Sequence, residues 1–281
     1  MYKIIKKEIL NPTVTRMVVE APLVAKRALA GQFVILRADS RGERIPLTIA
    51  GCDREKGTVT IIFQVVGGAT MCLNAKSEGE EIADLAGPLG VPTEVDGLKK
   101  VAVVGGGVGC AIALPVAKRL FELGAEVTSI VGFRSRDLVI LEEEFKEISS
   151  RFVLMTDDGS CGEKGNVCIP LSRLLESGER FDAVIAIGPL VMMKFVAQAT
   201  KPYHIKTIAS MNPIMIDGTG MCGGCRVSVG GEMKFDCVDG PDFDAHLIDF
   251  DEAIKRSKTY AEFEAQARER HCNLFKNSPK S

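Results

Sequence analysis

The sequence predicts an antiparallel β-barrel, then a Rossmann-like α/β unit with a parallel sheet, then a small cysteine-bearing module. Three observations carry this. Residues 1–97 hold short alternating apolar runs separated by turn signals, the pattern of a barrel or sandwich. Residues 98–210 alternate continuous apolar strands with helical segments, which argues a parallel sheet covered on both faces. Residues 211–250 contain Asp217-Gly-Thr-Gly-Met-Cys222-Gly-Gly-Cys225 and then Cys237, a Gly-rich turn dense in soft metal ligands.

The elements follow in order. Lys3–Leu10, Thr13–Glu20, Gln32–Ala38, Ile45–Cys52 and Thr58–Val65 read as strands. Asn11-Pro12, Ala30-Gly31, Arg41-Gly42 and Lys56-Gly57 supply the turns between them. A short helix is expected at Gly68–Lys76, and Gly87-Pro88-Leu89-Gly90 reads as a tight turn leading out of the barrel. In the second unit, strands are expected at Lys100–Gly105, Glu126–Gly132, Phe152–Thr156, Phe181–Ile187 and Lys206–Ser210. Helices are expected at Val108–Leu123, Leu141–Ser149, Leu171–Ser177 and Leu190–Ala199. Residues 251–281 form a last segment, with a charged helix over 251–270 whose thin apolar face holds Ile254, Tyr260, Phe263 and Ala267. His271 and Cys272 beyond it read as a surface tail, with a subunit interface as the alternative.

Bulk properties narrow the function. The net charge of −2 implies no polyanion-binding surface, so no nucleic acid is expected. Nine cysteines, an odd number, are scattered except for the C-terminal group. That argues against a disulfide framework and for a reducing cytoplasm. The N-terminus opens on YKIIKKEIL rather than on a secretory leader. The most apolar stretch, Val101–Ala117, is broken by glycines and Pro115, so no membrane span is expected.

The cysteine module reads as a loop around a [2Fe-2S] cluster. A plant-type cluster uses C-x4-C-x2-C and a later Cys. Here Asp217, Cys222, Cys225 and Cys237 keep that spacing with a carboxylate in the first place. The glycines let backbone N–H groups turn toward the sulfurs. Zinc on the same four residues, or no metal at all with the cysteines as small buried hydrophobes, are the competing readings.

The stretch Val101-Ala-Val-Val-Gly105-Gly106-Gly107-Val108-Gly109-Cys110 is a strand, a glycine turn and a helix start. Such a turn brings backbone amides and a helix N-terminus up to a pyrophosphate. Cys110 stands where the third Gly of G-x-G-x-x-G belongs, so a purely structural turn is the alternative. The next strand ends without an acid and runs into Arg134 and Arg136, which can read a 2′-phosphate or be solvated loop charges. Asp157 and Gly188 also fall at C-terminal ends of predicted strands, where such sheets bind ligands. Turn-capping is the plain alternative for Asp157.

In the barrel, Arg44-Ile-Pro46-Leu47-Thr48 places an Arg and a Thr on one strand face, suited to a phosphate and a flavin ring. Gly67-Gly68-Ala-Thr70 opens the short helix as a second phosphate-ready terminus. The order R-x-P-L-T, G-G-A-T, G-P-L-G, G-G-G-V-G, I-G-P and D-G-x-G-x-C-x-x-C…C resembles the ferredoxin–NADP reductase superfamily. Within it, the sequence is similar to electron-transfer subunits of the dihydroorotate dehydrogenase type over about residues 1–245. Asp217 stands where those subunits carry Cys, a departure that resembles the small subunit of the bifurcating NADH-dependent ferredoxin:NADP oxidoreductases.

The resemblance implies FAD held by Arg44, Pro46, Leu47, Thr48, Gly67, Gly68 and Thr70. It implies NAD(H) along Gly105, Gly106, Gly107, Gly109, Asp157 and Gly188, and a [2Fe-2S] cluster on Asp217, Cys222, Cys225 and Cys237. It implies a larger flavoprotein partner with [4Fe-4S] clusters in a heterodimer. No side chain is expected as a chemical acid or base, because the cofactors carry the reaction. The alternatives are the electron-transfer subunit of dihydroorotate dehydrogenase and, in another class, a non-catalytic redox or nucleotide sensor.

Overall fold

The computed structural model describes residues 1–266 and Glu269. The readings for Ala267, His271 and Cys272 lie outside the described residues. The first unit contains β1 (Tyr2–Asn11), β2 (Val14–Glu20), α1 (Pro22–Ala25), β3 (Phe33–Arg37), β4 (Arg44–Asp53), β5 (Thr58–Gln64), α2 (Gly68–Ala75), β6 (Glu81–Ile82) and β7 (Asp84–Leu89). The strands form one antiparallel sheet in the order β6-β1-β2-β5-β4-β3-β7, a nearly closed barrel. Alternation fills it: Ile4, Met17, Val34, Leu36, Ile61 and Phe63 are buried together. The stretch through Gly87-Pro88 is part of β7 rather than only a turn. Pro88 is tolerated there because β7 is an edge strand, where a missing N–H costs no ladder bond.

The second unit contains β8 (Lys100–Gly106), α3 (Gly109–Glu122), β9 (Glu126–Phe133), α4 (Glu142–Ile148), β10 (Arg151–Thr156), β11 (Glu163–Lys164), α5 (Cys168–Glu176), β12 (Ala183–Ile187), α6 (Leu190–Thr200) and β13 (Lys206–Ser210). Its sheet runs β11-β10-β9-β8-β12-β13-β16, where β16 is Asp242–Asp244. The strand order reverses at β8, between β9 and β12, and the crevice for a ligand opens at that switch point. Residues Val101 to Val104 have no exposed surface, which explains their unbroken apolar run.

The third unit is small. It holds the two-stranded ribbon β14 (Arg226–Val229) and β15 (Glu232–Phe235), then α7 (Asp236–Asp239). The chain returns as β16 (Asp242–Asp244), antiparallel to β13 at the sheet edge. Helix α8 (Phe250–Ser257) follows and is shorter than the expected helix, with further helical residues after a turn. Among the described residues no helix is long and apolar enough to cross a membrane.

Polar contacts fix the barrel against the parallel sheet. Arg16 pairs with Glu144 at 2.8 Å, and Asn11 Nδ2 donates to the Leu138 carbonyl at 3.0 Å. At the opposite end of the sheet, the Thr93 hydroxyl donates to Asp242 Oδ2 at 2.5 Å. The crevice between the two units therefore has walls set from both sides.

Candidate functional site

A cavity of about 930 Å³ opens where the barrel meets the parallel sheet. On the barrel side, Pro46, Leu47 and Thr48 of β4 line it, together with Thr70 of α2. On the sheet side it is lined by Gly106, Gly107, Gly109, Asp157 and Gly188. Arg44, Gly67, Gly68 and Gly105 stand off this wall. Arg44 is exposed at the start of β4, opposite Arg37 of β3, and its side chain makes no hydrogen bond or ion pair with the described residues. Wall residues not singled out from sequence include Asn11, Thr13 and Val14, Ile62–Gln64, Ser210–Pro213, Met215 and Asp236. Ser210–Pro213 follows the C-terminal end of β13, so the strand-end rule that selected Gly188 also covers it.

Each turn has a physical reason. The Thr70 hydroxyl accepts the Val66 and Gly67 amides at 3.0 and 3.1 Å and donates to the Gly67 carbonyl at 2.9 Å. This fixes the entry to α2, whose following amides have no intrahelical acceptor. At the second turn Gly107 has φ +56°, the left-handed region that Gly adopts without strain. A Cβ at Gly67 or Gly107 would meet nothing within 4 Å, so both turns face open space. Gly109 is the opposite case. A Cβ there would sit 2.5 Å from the Ile187 carbonyl oxygen and 2.7 Å from Gly188 Cα. Helix α3 can start this close to β12 only with Gly at that position. Cys110, in the third-glycine place of the fingerprint, packs fully buried beneath the turn, and burial pushes its thiol well above the usual range.

The cysteine module lies beside the same cavity. Cys225 and Cys237 are buried, with their sulfurs 3.3 Å apart. Cys237 Sγ accepts the Gly220 amide at 3.1 Å, and Cys222 Sγ accepts the Gly224 amide at 3.5 Å. Burial, then the neighbouring Cys225, pushes the Cys237 thiol up to about 12. Asp217 Oδ1 accepts the Thr219 hydroxyl and its amide, the latter at 2.6 Å, while Oδ2 accepts the Cys222 amide at 2.9 Å. The Thr219 and Cys222 donors hold this carboxyl well below the usual carboxylate range.

The donors fall in two groups: the Cys225 and Cys237 sulfurs, which are adjacent, and Asp217 with Cys222, whose amide and side chain both hydrogen-bond the carboxylate. Among the described residues no three His, Cys, Asp or Glu side chains gather as a single-ion site. Two thiolates on one tetrahedral metal with bonds of about 2.3 Å lie about 3.7 Å apart, close to the spacing found. Two pairs suit the two irons of a [2Fe-2S] centre, and amides already point at the sulfurs as such centres require. One zinc would instead need four donors around one point. The residues present therefore fit a [2Fe-2S] cluster.

Asp236, next to Cys237, lies on the cavity wall and is buried. Burial, then the charge of Asp242, raises its carboxyl well above the usual range. One oxygen of each of these two acids has no hydrogen-bond partner. Hence the cavity floor and the cysteine loop share a backbone segment.

Comparison with known proteins places this geometry. The iron-sulfur cluster binding domain of dihydroorotate dehydrogenase B matches residues 212–249. A Thermotoga maritima homologue of the electron transfer subunit of NAD(+)-type dihydroorotate dehydrogenase B is 44% identical, over 95% of this chain and 94% of its own length. The Streptococcus pneumoniae electron transfer subunit itself is 34% identical, over 86% of this chain and 94% of its length. The chain belongs to the family of dihydroorotate dehydrogenase B electron-transfer subunits. Within that family it is similar in structure to a chain of an NADH-dependent reduced ferredoxin–NADP oxidoreductase studied for flavin-based electron bifurcation. The two are 44% identical with a TM-score of 0.90, covering 96% of this chain and 97% of that one. The family's cluster-binding domain thus coincides with the stretch from Asn212 to Asp249 that carries the paired donors.

Proposed function

We propose that the chain is the FAD- and [2Fe-2S]-containing electron-transfer subunit of an NADH-dependent ferredoxin–NADP oxidoreductase. It exchanges hydride with NAD(H) and single electrons with a larger flavoprotein subunit that bears [4Fe-4S] clusters. One observation carries this reading. A single cavity joins Pro46–Thr48, the turn at Gly107 and Asp236, the neighbour of Cys237. FAD, when bound, supplies two-electron exchange with nicotinamide and one-electron exchange with an iron–sulfur centre.

The chain's own residues bind and orient. Thr48 offers a hydroxyl to the flavin ring, and Arg44 with the α2 terminus at Gly67, Gly68 and Thr70 offers charge and amides to its phosphates. The turn Gly105–Gly109 and Gly188 take the nicotinamide nucleotide at the strand ends. Asp217, Cys222, Cys225 and Cys237 hold the cluster. The working division is 1–97 for FAD, 98–210 for NAD(H), 211–250 for the cluster and 251–281 for the terminal helix and tail. A cytoplasmic setting is consistent with cysteines that form no disulfide among the described residues.

The test is anaerobic purification followed by spectroscopy. NADH is expected to bleach a flavin absorbance, and dithionite reduction to give a spin-half EPR signal of the reduced [2Fe-2S] type. A colourless protein, or an EPR-silent one carrying zinc, overturns the reading and moves weight to a sensor. Co-purification with a larger flavoprotein decides the partner. The dihydroorotate dehydrogenase subunit stays as a second reading, favoured by the match at 212–249. A partner that reduces this chain with dihydroorotate would establish it.

A further inference from the structure

We infer that Thr219 is a positioning residue for the cluster. Its amide and hydroxyl occupy Asp217 Oδ1, which leaves Oδ2 to meet iron, and the hydroxyl raises the cluster's potential. This rests on the reading of the cysteine loop as a [2Fe-2S] site and adds how its one oxygen ligand is held. A carboxylate has two oxygens with about two acceptor places on each. Both places on Oδ1 are taken within the loop, by the Thr219 amide at 2.6 Å and by the Thr219 hydroxyl. Oδ2 accepts the Cys222 amide at 2.9 Å. The Cys222 side chain also hydrogen-bonds this carboxylate, and with Oδ1 filled that bond falls on Oδ2. A cysteine that ligates metal is a thiolate and donates nothing. The place that opens for iron is therefore on Oδ2, on the side of Cys222.

The backbone fixes where Thr219 stands. It lies between Gly218 and Gly220, and both approach a neighbour closely. A Cβ on Gly218 would collide with Ile35 of β3, and one on Gly220 would press on Val238 of α7. The loop is thus held between the barrel and the helix that carries Cys237. The Thr219 side chain itself is exposed, so its hydroxyl supports no core packing. Its hydrogen bond is to Asp217 Oδ1.

The consequence is electronic. A donor on a ligating carboxylate stabilises the negative charge that reduction adds to the cluster, so it favours the reduced form. The amide at 219 donates whatever side chain stands there. The hydroxyl is what threonine adds, and it can be removed without touching the backbone.

The experiment is a redox titration read by EPR and visible absorbance, which needs no turnover. It uses the full chain, purified anaerobically, as parent, Thr219→Val and Thr219→Ser. Val keeps the shape and removes the donor. It is expected to keep the cluster, to move the g values of the reduced form and to lower the potential. The ratio of reduced to oxidised cluster is expected to fall about threefold, or about 28 mV at roughly 59 mV per tenfold for one electron. Ser is expected to restore the parent's spectrum and potential. If Val matches the parent in both readouts, the inference is overturned, and Asp217→Cys in the same series shows whether the ligand assignment still stands. A Ser variant that behaves as Val also overturns it. If Val takes up no cluster, rescue by Ser at the parent's potential supports the positioning role, and failure of that rescue overturns it. A parent without any iron–sulfur signal removes the cluster reading itself and this inference with it.

Discussion

The parallel sheet and the cysteine module meet at one cavity, yet they are held together in opposite ways. Strands β8, β9 and β12 are buried on both faces between two apolar clusters, and much of each strand has no exposed surface. The module has a ribbon of two four-residue strands and a small cluster that borrows Phe33 and Ile35 from the barrel. An isolated two-stranded ribbon is marginal in water. Two of the five buried residues in that cluster are Cys225 and Cys237. Thus the sheet is stable by packing, whereas the module has little apolar packing of its own.

The strongest way to break this contrast is Cys237→Ser. Loss of the whole cluster signal is expected, with amide exchange accelerating in β14 and β15 while β8 and β12 keep their protection. Equal loss of protection in both regions would show that the module has no separate dependence. Gly109→Ala strikes the sheet side. Its Cβ would collide with the Ile187 carbonyl, so destabilisation of about 1–3 kcal/mol and much weakened NADH binding are expected. Urea unfolding and NADH titration check both.

A gentler probe is Asp217→Cys. The cluster is expected to remain, with a changed spectrum and potential, because the ligand's charge and hydrogen bonds change. A variant identical to the parent by EPR and absorbance would mean that Asp217 only caps the turn, as its bonds to the Thr219 and Cys222 amides permit. The smallest effect is expected from Asp242→Asn. Burial raises the Asp242 carboxyl in the folded protein. Between the ordinary carboxylate value and that raised value, the folded state binds more protons than the unfolded, so stability falls as pH rises. Asn cannot ionise, and the fall is expected to flatten in unfolding curves taken from pH 4 upward.

How far the sequence carried the fold follows the same contrast. Where burial is two-sided, as at Val101–Val104, the apolar run is unbroken and the strand legible. Strand β7 was hidden because Gly87-Pro88 reads as a turn, although an edge strand can hold a proline. The short strands β11 and β16 are set by tertiary pairing and leave no periodic signal. Helix α5 begins at Cys168 and not at Leu171, since Pro170 is allowed in a first turn. On the cavity wall, Gly106, Gly107, Gly109 and Gly188 were legible because glycine turns at strand ends are a rare pattern. Ser210–Pro213 and Asp236 were not, because ordinary residues reach the wall only through the chain's route.

That route has one more consequence. The module leaves the sheet after Ser210 and re-enters it at Asp242, and those two residues sit opposite each other in the β13–β16 pairing. The Met211 amide donates to the Pro241 carbonyl at 2.8 Å, closing the gap just above them. Residues 211–241 are thus a cassette with both ends anchored at a single rung of the ladder, held further by Ser228 and Gly230 against the segment 247–249. A short turn can bridge that rung, so a chain with the cassette excised retains a complete nucleotide sheet and forfeits its outlet for single electrons. A different redox ribbon ending on the same rung must also cover Phe33 and Ile35, the barrel residues that pack against this one.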